Sequence, residues 1–115
     1  MIGDTSKLLR IFLGEGDKLG HQALYEAIIL AAKKANMAGA TSWRGIMGFG
    51  PSSVIHSAKL LDLSSDLPVV VEIIDREEKI EAFLPYIDDL FEKSGSGGLV
   101  TIETATVLKY RSEKK

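Results

Sequence analysis

PVVVEIIDREEKIEAFLPYIDDLF, residues 68–91, changes its hydrophobic period halfway along. In 68–74 both faces are apolar apart from Glu72, and Pro68 stands where a strand begins and a missing N–H costs least, so this half reads as a central strand. Asp75 then precedes Glu78 by three, a capping-box-like spacing. Ile80, Phe83, Leu84, Ile87, Leu90 and Phe91 follow in helical register, which predicts a helix bent at Pro85. Gly95-Ser96-Gly97-Gly98 ends it, and Leu99 to Tyr110, rich in Val, Thr and Ile, reads as the last strand.

Working upstream, KLLRIFL (7–13) alternates Leu9, Ile11 and Leu13 against Leu8 and Phe12, the period of a strand, with Arg10 its only polar interior residue. From about Leu19 to Met37, apolar positions at Leu24, Ala27, Ile28, Ala31 and Ala35 predict an amphipathic helix, with Gly39 as its stop. Ala40 to Phe49 reads as a second strand, with Trp43, Met47 and Phe49 on one face. Strand, helix, strand, strand, helix, strand is the split βαβ order. It predicts an α+β, ferredoxin-like fold: one domain over residues 1–115, a four-stranded antiparallel sheet and two helices on one face. Leu8, Phe12, Val70 or Val71, and Ile74 leave the second sheet face apolar, so that face is expected to pack against other subunits. The tail from Ser112 to Lys115 is expected to fray.

Composition narrows the function. The chain has 115 residues, 26% charged, with a formal net charge of −2 and no Cys. No block of Lys or Arg exceeds a pair, which argues against nucleic acid or anionic membrane as partner. Without Cys, thiol catalysis, disulfides and thiolate metal sites are excluded. The longest unbroken apolar run is Ala27 to Ala32 and no signal-peptide stretch is visible, so a cytoplasmic protein is expected. The single Asn (Asn36) and single Gln (Gln22) lean toward a heat-adapted source.

Residues 51–67 join two strands that a two-residue turn could have joined, and connections of that length are usually functional. The alternative is a packed surface helix carrying Val54, Ile55, Ala58 and Leu61. Gly14, Gly16 and Gly20 resemble a dinucleotide fingerprint, but Glu15 and Asp17 would face the pyrophosphate, so they read as a turn and helix start. Gly95, Gly97 and Gly98 form a loop whose amides could approach an anion. His21 and His56 are far apart with no adjoining carboxylates, and no metal site is expected. Glu77-Glu78 and Asp88-Asp89 read as solvated helix charge, and Ser52 and Ser53 near His56 lack a nucleophile elbow. No nucleophile and base pair by spacing, so the chain is not expected to be an enzyme.

The run GATSWRGIMGFGPSSVIHSAKLLDLSSDLPVVVEIIDREEKIEAFLP, Gly39 to Pro85, preceded by LYEAII, closely resembles the DUF190 family of the PII-like superfamily, relatives of the PII signal proteins and CutA. The resemblance implies a homotrimer with its sheets turned inward and adenine nucleotide in clefts between subunits: ATP, ADP or AMP, with or without Mg, and no tightly bound cofactor. It implies that 51–67 is a signalling loop acting on a partner protein. The Gly-Phe-Gly at the base of the PII loop is matched by Gly48, Phe49 and Gly50, and its glycine loop by Gly95, Gly97 and Gly98. Its terminal arginine pair is similar to Lys109 and Arg111, a point charge and a fork for phosphate. Thr41 and Glu72 fall near the ribose and adenine contacts with a one-residue shift. Pro51 and Ser52 replace the Gln that serves Mg and 2-oxoglutarate in PII, and the loop has no Tyr to uridylylate. The alternative implied is a CutA-like or fluoride-channel-associated ion-tolerance protein, with a membrane transporter or channel as partner and no nucleotide sensing.

Overall fold

The structure, a computed structural model, describes residues 5–58 and 66–113. Its elements are β1 (Ser6–Gly14), β2 (Lys18–Leu19), β3 (Gln22–Ala23), α1 (Leu24–Lys34), β4 (Gly39–Arg44), β5 (Met47–Gly48), β6 (His56–Ser57), β7 (Pro68–Arg76), α2 (Glu77–Ser94) and β8 (Leu99–Ala105). The four long strands pair antiparallel in the order β4-β7-β1-β8. The expected split βαβ sheet is therefore present. Leu9, Ile11 and Leu13 of β1 and Val69, Val71 and Ile73 of β7 are buried on one face, against Leu24, Ile28 and Ala32 of α1 and Ile80, Phe83, Ile87 and Leu90 of α2. Both helices bury the same set of alternate strand side chains, which puts them on one face, and each fully buried aliphatic adds about 1.5–3 kcal/mol.

Several local expectations are corrected. The strand expected over 40–49 stops at Arg44, so Trp43, Met47 and Phe49 do not share one strand face. The cause is Pro68: its carbonyl accepts the Gly45 N–H at 2.6 Å, but it has no N–H with which to continue the ladder. The chain leaves the sheet there, and Met47–Gly48 pairs with His56–Ser57 instead. Ser53 turns this small hairpin at φ 59°, its N–H bonded to the Gly50 carbonyl at 2.8 Å. The start of 51–67 is thus a hairpin, not a helix carrying Val54, Ile55 and Ala58; Leu61 lies outside the described residues.

The first helix begins at Leu24 rather than Leu19, because the β2–β3 turn occupies its expected start and the Asp17 carbonyl accepts the Leu24 N–H at 2.8 Å. It stops at left-handed Asn36 (φ 59°), and Gly39 opens β4. Asp75 is not the cap of α2. It is buried at the end of β7, where its carboxylate accepts the Ala38 N–H at 2.9 Å and lies 3.4 Å from the Lys79 ammonium. α2 starts at Glu77 and continues through exposed Pro85 to Ser94. β8 ends at Ala105, opposite Ser6 where its partner strand begins, so the last strand does not reach Tyr110. Among the described residues no helix is long and apolar enough to cross a membrane.

Candidate functional site

On the sheet face away from the helices, β4, β7, β1 and β8 place Thr41, Glu72, Arg10 and Thr101 in one cross-strand row. Cross-strand partners share a face. The next row toward Pro68 holds Trp43, Val70, Phe12 and Leu99. Glu72 accepts from Arg10 Nε at 2.7 Å and from the Trp43 indole N–H at 2.8 Å, and Arg10 also pairs with Glu103. The hydrogen bond from Arg10, then that from Trp43, holds the Glu72 carboxyl below its ordinary range. The same bond to Glu72 raises Arg10 further. A small charged network is thereby set among half-buried Leu8, Phe12, Val70 and Ile74.

Arg10, Trp43 and Glu103 were not singled out from the sequence as site residues. The usable signal was one charge in each central strand, Arg10 and Glu72, but that signal becomes a pair only when register is known.

The glycine loop lies at the other edge. Gly95 is the left-handed C-cap of α2 (φ 73°), its N–H donating to the Phe91 carbonyl at 2.9 Å. At Gly98 a Cβ would lie 2.7 Å from the Phe91 ring and 2.8 Å from the Phe12 carbonyl oxygen, so that position exists for close packing. Gly95 and Gly97 both face open space on their Cβ side, and of the two only Gly95 is held in the left-handed region. A groove of about 520 Å³ beside the loop is lined by Asp88, Phe91, Glu92, Gly95, Ser96, Gly98 and Val100. Its two carboxylates disfavour an anion inside it.

Gly48 packs on Pro68, Gly50 is open on its Cβ side, and Phe49 is 70% exposed. Lys109 and Arg111 are exposed, and between them the Tyr110 hydroxyl donates to the Ala38 carbonyl at 2.8 Å. After β8 the chain therefore crosses to the end of the sheet where β4 begins. Gly48–Gly50 and Gly95–Gly98 both lie toward the Pro68 end, Gly48 against Pro68 of β7 and Gly98 against Phe12 of β1. Lys109 and Arg111 follow β8 at the far end of the sheet, beyond a strand of about 20 Å. Thr41 and Glu72 are brought together; the three other clusters occupy separate corners of the sheet. Among the described residues no three His, Asp or Glu gather into a metal-binding group.

Comparison with known proteins agrees with this architecture. Residues 6–107 match the DUF190 family, described as uncharacterized ACR. A UPF0166 protein of Aquifex aeolicus is 43% identical over 102 residues, covering 89% of this chain and 92% of that protein. A UPF0166 protein of Methanocaldococcus jannaschii is 36% identical over 104 residues, covering 90% and 93%. Among solved structures, CPII of Thiomonas intermedia K12, a nitrogen regulatory PII-like protein bound to ADP, AMP and bicarbonate, superposes with a TM-score of 0.69. That match covers 91% of this chain and 90% of CPII at 20% identity, a likeness of fold. The family match spans nearly the whole sheet, from the first residue of β1 to two residues past β8, and on that ground the chain belongs to the DUF190 family, with a PII-like fold.

Proposed function

We propose that this chain is a non-catalytic, cytoplasmic regulatory protein that binds an adenine nucleotide in clefts between the subunits of a trimer and signals to a partner protein through residues 51–67. The observation that carries the reading is the separation just described. Gly48–Gly50, Gly97 and the cations Lys109 and Arg111 are the groups suited to nucleotide and phosphate, and with Gly97 and the two cations at opposite ends of β8 one phosphate group cannot touch both on a single chain. A second and third copy bring different corners together. The uncovered sheet face with Leu8, Phe12, Val70 and Ile74 offers the surface on which copies would meet. CPII, similar in fold, holds ADP and AMP.

In such a cleft the loop amides at Gly97 meet phosphate without Cβ interference, and Lys109 and Arg111 supply charge-assisted hydrogen bonds. Phosphate contacts near Gly48–Gly50 would order the adjoining hairpin, whose exposed Ile46, Met47, Phe49, Val54 and Ile55 are suited to a protein partner.

Calorimetric titration with ATP, ADP, AMP and cyclic nucleotides, with and without Mg, tests the reading. Saturable binding is expected for at least one. Replacing both Lys109 and Arg111 by Ala removes at least ~2 kcal/mol, about 30-fold in Kd. Absence of binding by every nucleotide, or an unchanged Kd in the double variant, overturns it.

A further inference from the structure

The Gly14-Glu15-Gly16 turn, rejected above as a dinucleotide fingerprint, does hold an anionic group, and that group belongs to the chain. The Asp66 carboxylate accepts the Gly16 N–H at 2.7 Å, and the Glu15 N–H donates to the Leu67 carbonyl at 2.8 Å. A Cβ on Gly14 would lie 2.6 Å from Asp66 Oδ1, so the carboxylate occupies the space that a side chain there would need. On the other side, the Glu15 carboxylate pairs with Arg44, and the next residue, Gly45, donates to the Pro68 carbonyl. Arg44–Gly45 is where the chain leaves the sheet toward the hairpin, and Asp66–Pro68 is where it returns. One turn thus grips both roots of the excursion.

We propose that Gly14, Glu15 and Gly16, with Asp66 and Arg44, form a clasp that positions the hairpin of residues 46–58, making Asp66 and Arg44 positioning residues for the signalling arm. The proposal rests on the reading of that segment as part of the arm. The two fastenings differ in kind. The return root is a carboxylate on a backbone amide in a tight glycine turn. The departure root is an ion pair whose Arg44 side is largely exposed, so anions and salt compete for it. Arg44 lies four residues before Gly48, which makes it the cation that a phosphate near Gly48–Gly50 would draw from Glu15. The clasp therefore couples an anion at that site to the freedom of one arm root.

Hydrogen exchange without nucleotide tests this on the full chain. The reporters are Ser53 N–H, bonded to the Gly50 carbonyl, and Ala58 N–H, bonded to the Ile46 carbonyl. Asp66→Ala is expected to speed exchange at both about tenfold, the scale of losing a charge-assisted bond, with β1 and β7 still protected. Asp66→Asn keeps an acceptor oxygen and should stay near the wild-type rate. Gly14→Ala, which expels the carboxylate sterically, should match Asp66→Ala. Unchanged exchange in both Ala variants, an Asn variant as fast as Ala, or loss of protection throughout the sheet overturns the clasp. Because no nucleotide is present, these outcomes are independent of the calorimetric test.

Discussion

Gly98 has no room for a side chain, and the obstacle is unequal on its two sides. The Phe91 ring can turn away, but the Phe12 carbonyl is part of the β1 ladder and cannot. Gly98→Ala should therefore lower stability by about 1–3 kcal/mol, as overpacking does, seen as a reduced urea midpoint. Gly97→Ala, facing open space, should leave the midpoint unchanged, and any loss it causes should appear only in nucleotide affinity. Glu72 carries a pH prediction. Its folded pKa is depressed, first by Arg10 and then by Trp43, so its contribution is present above the ordinary glutamate range of about 4.3 and is lost as pH falls through the folded value. In Arg10→Ala, carbon-detected NMR titration should find the Glu72 midpoint moved upward, and the stability lost on acidification through this group should become smaller, because the folded value then lies closer to the unfolded one. Sequence alone placed Arg10 and Glu72 inside strands as isolated charges. What joined them was a register across 62 residues of chain, which local periodicity does not encode.

At the scale of elements, alternation in 7–13 and 68–74 was legible because each strand buries one face under the helices and leaves the other half-covered. Boundaries were less legible. Both helices begin later than their patterns suggested, and neither N-cap residue provides a side-chain cap. For α1 a distant carbonyl, that of Asp17, takes over. Asp75 shows the same competition: its carboxylate serves the Ala38 amide across the sheet end, so the three-residue spacing to Glu78 is coincidental. Pro85 lies inside α2, where the missing N–H leaves the Glu81 carbonyl without its helical donor. Pro85→Ala, at an exposed position, should raise stability by about 2 kcal/mol after the entropic benefit of Pro is offset, measured as a higher Tm with an unchanged near-UV spectrum.

For the whole molecule, the geometry makes the nucleotide reading a matter of assembly. With Gly97 and Lys109–Arg111 at opposite ends of β8, a defect at either should be complemented by a partner carrying the other. On the proposed trimer, assemblies mixed from Gly97→Glu chains and Lys109→Ala/Arg111→Ala chains should regain binding in those clefts that take the intact corner from each, while neither parent assembly binds. Fluorescence of the single Trp, Trp43, exposed beside Glu72, is a direct readout. Mixed assemblies that bind no better than the parents would place the site within one chain.

The order of the four long strands and two helices, the buried faces of the two central strands and the α+β class were determined by the sequence alone, because period and punctuation are local properties of the chain. The break of β4 at Pro68, the hairpin within 51–67, the pairing of Arg10 with Glu72 and the clasp on Gly14–Gly16 were decided by the tertiary structure. Each depends on groups that meet only after the sheet has formed, and a hydrogen-bonding group takes the partner the assembled fold brings nearest, whatever its neighbours in sequence.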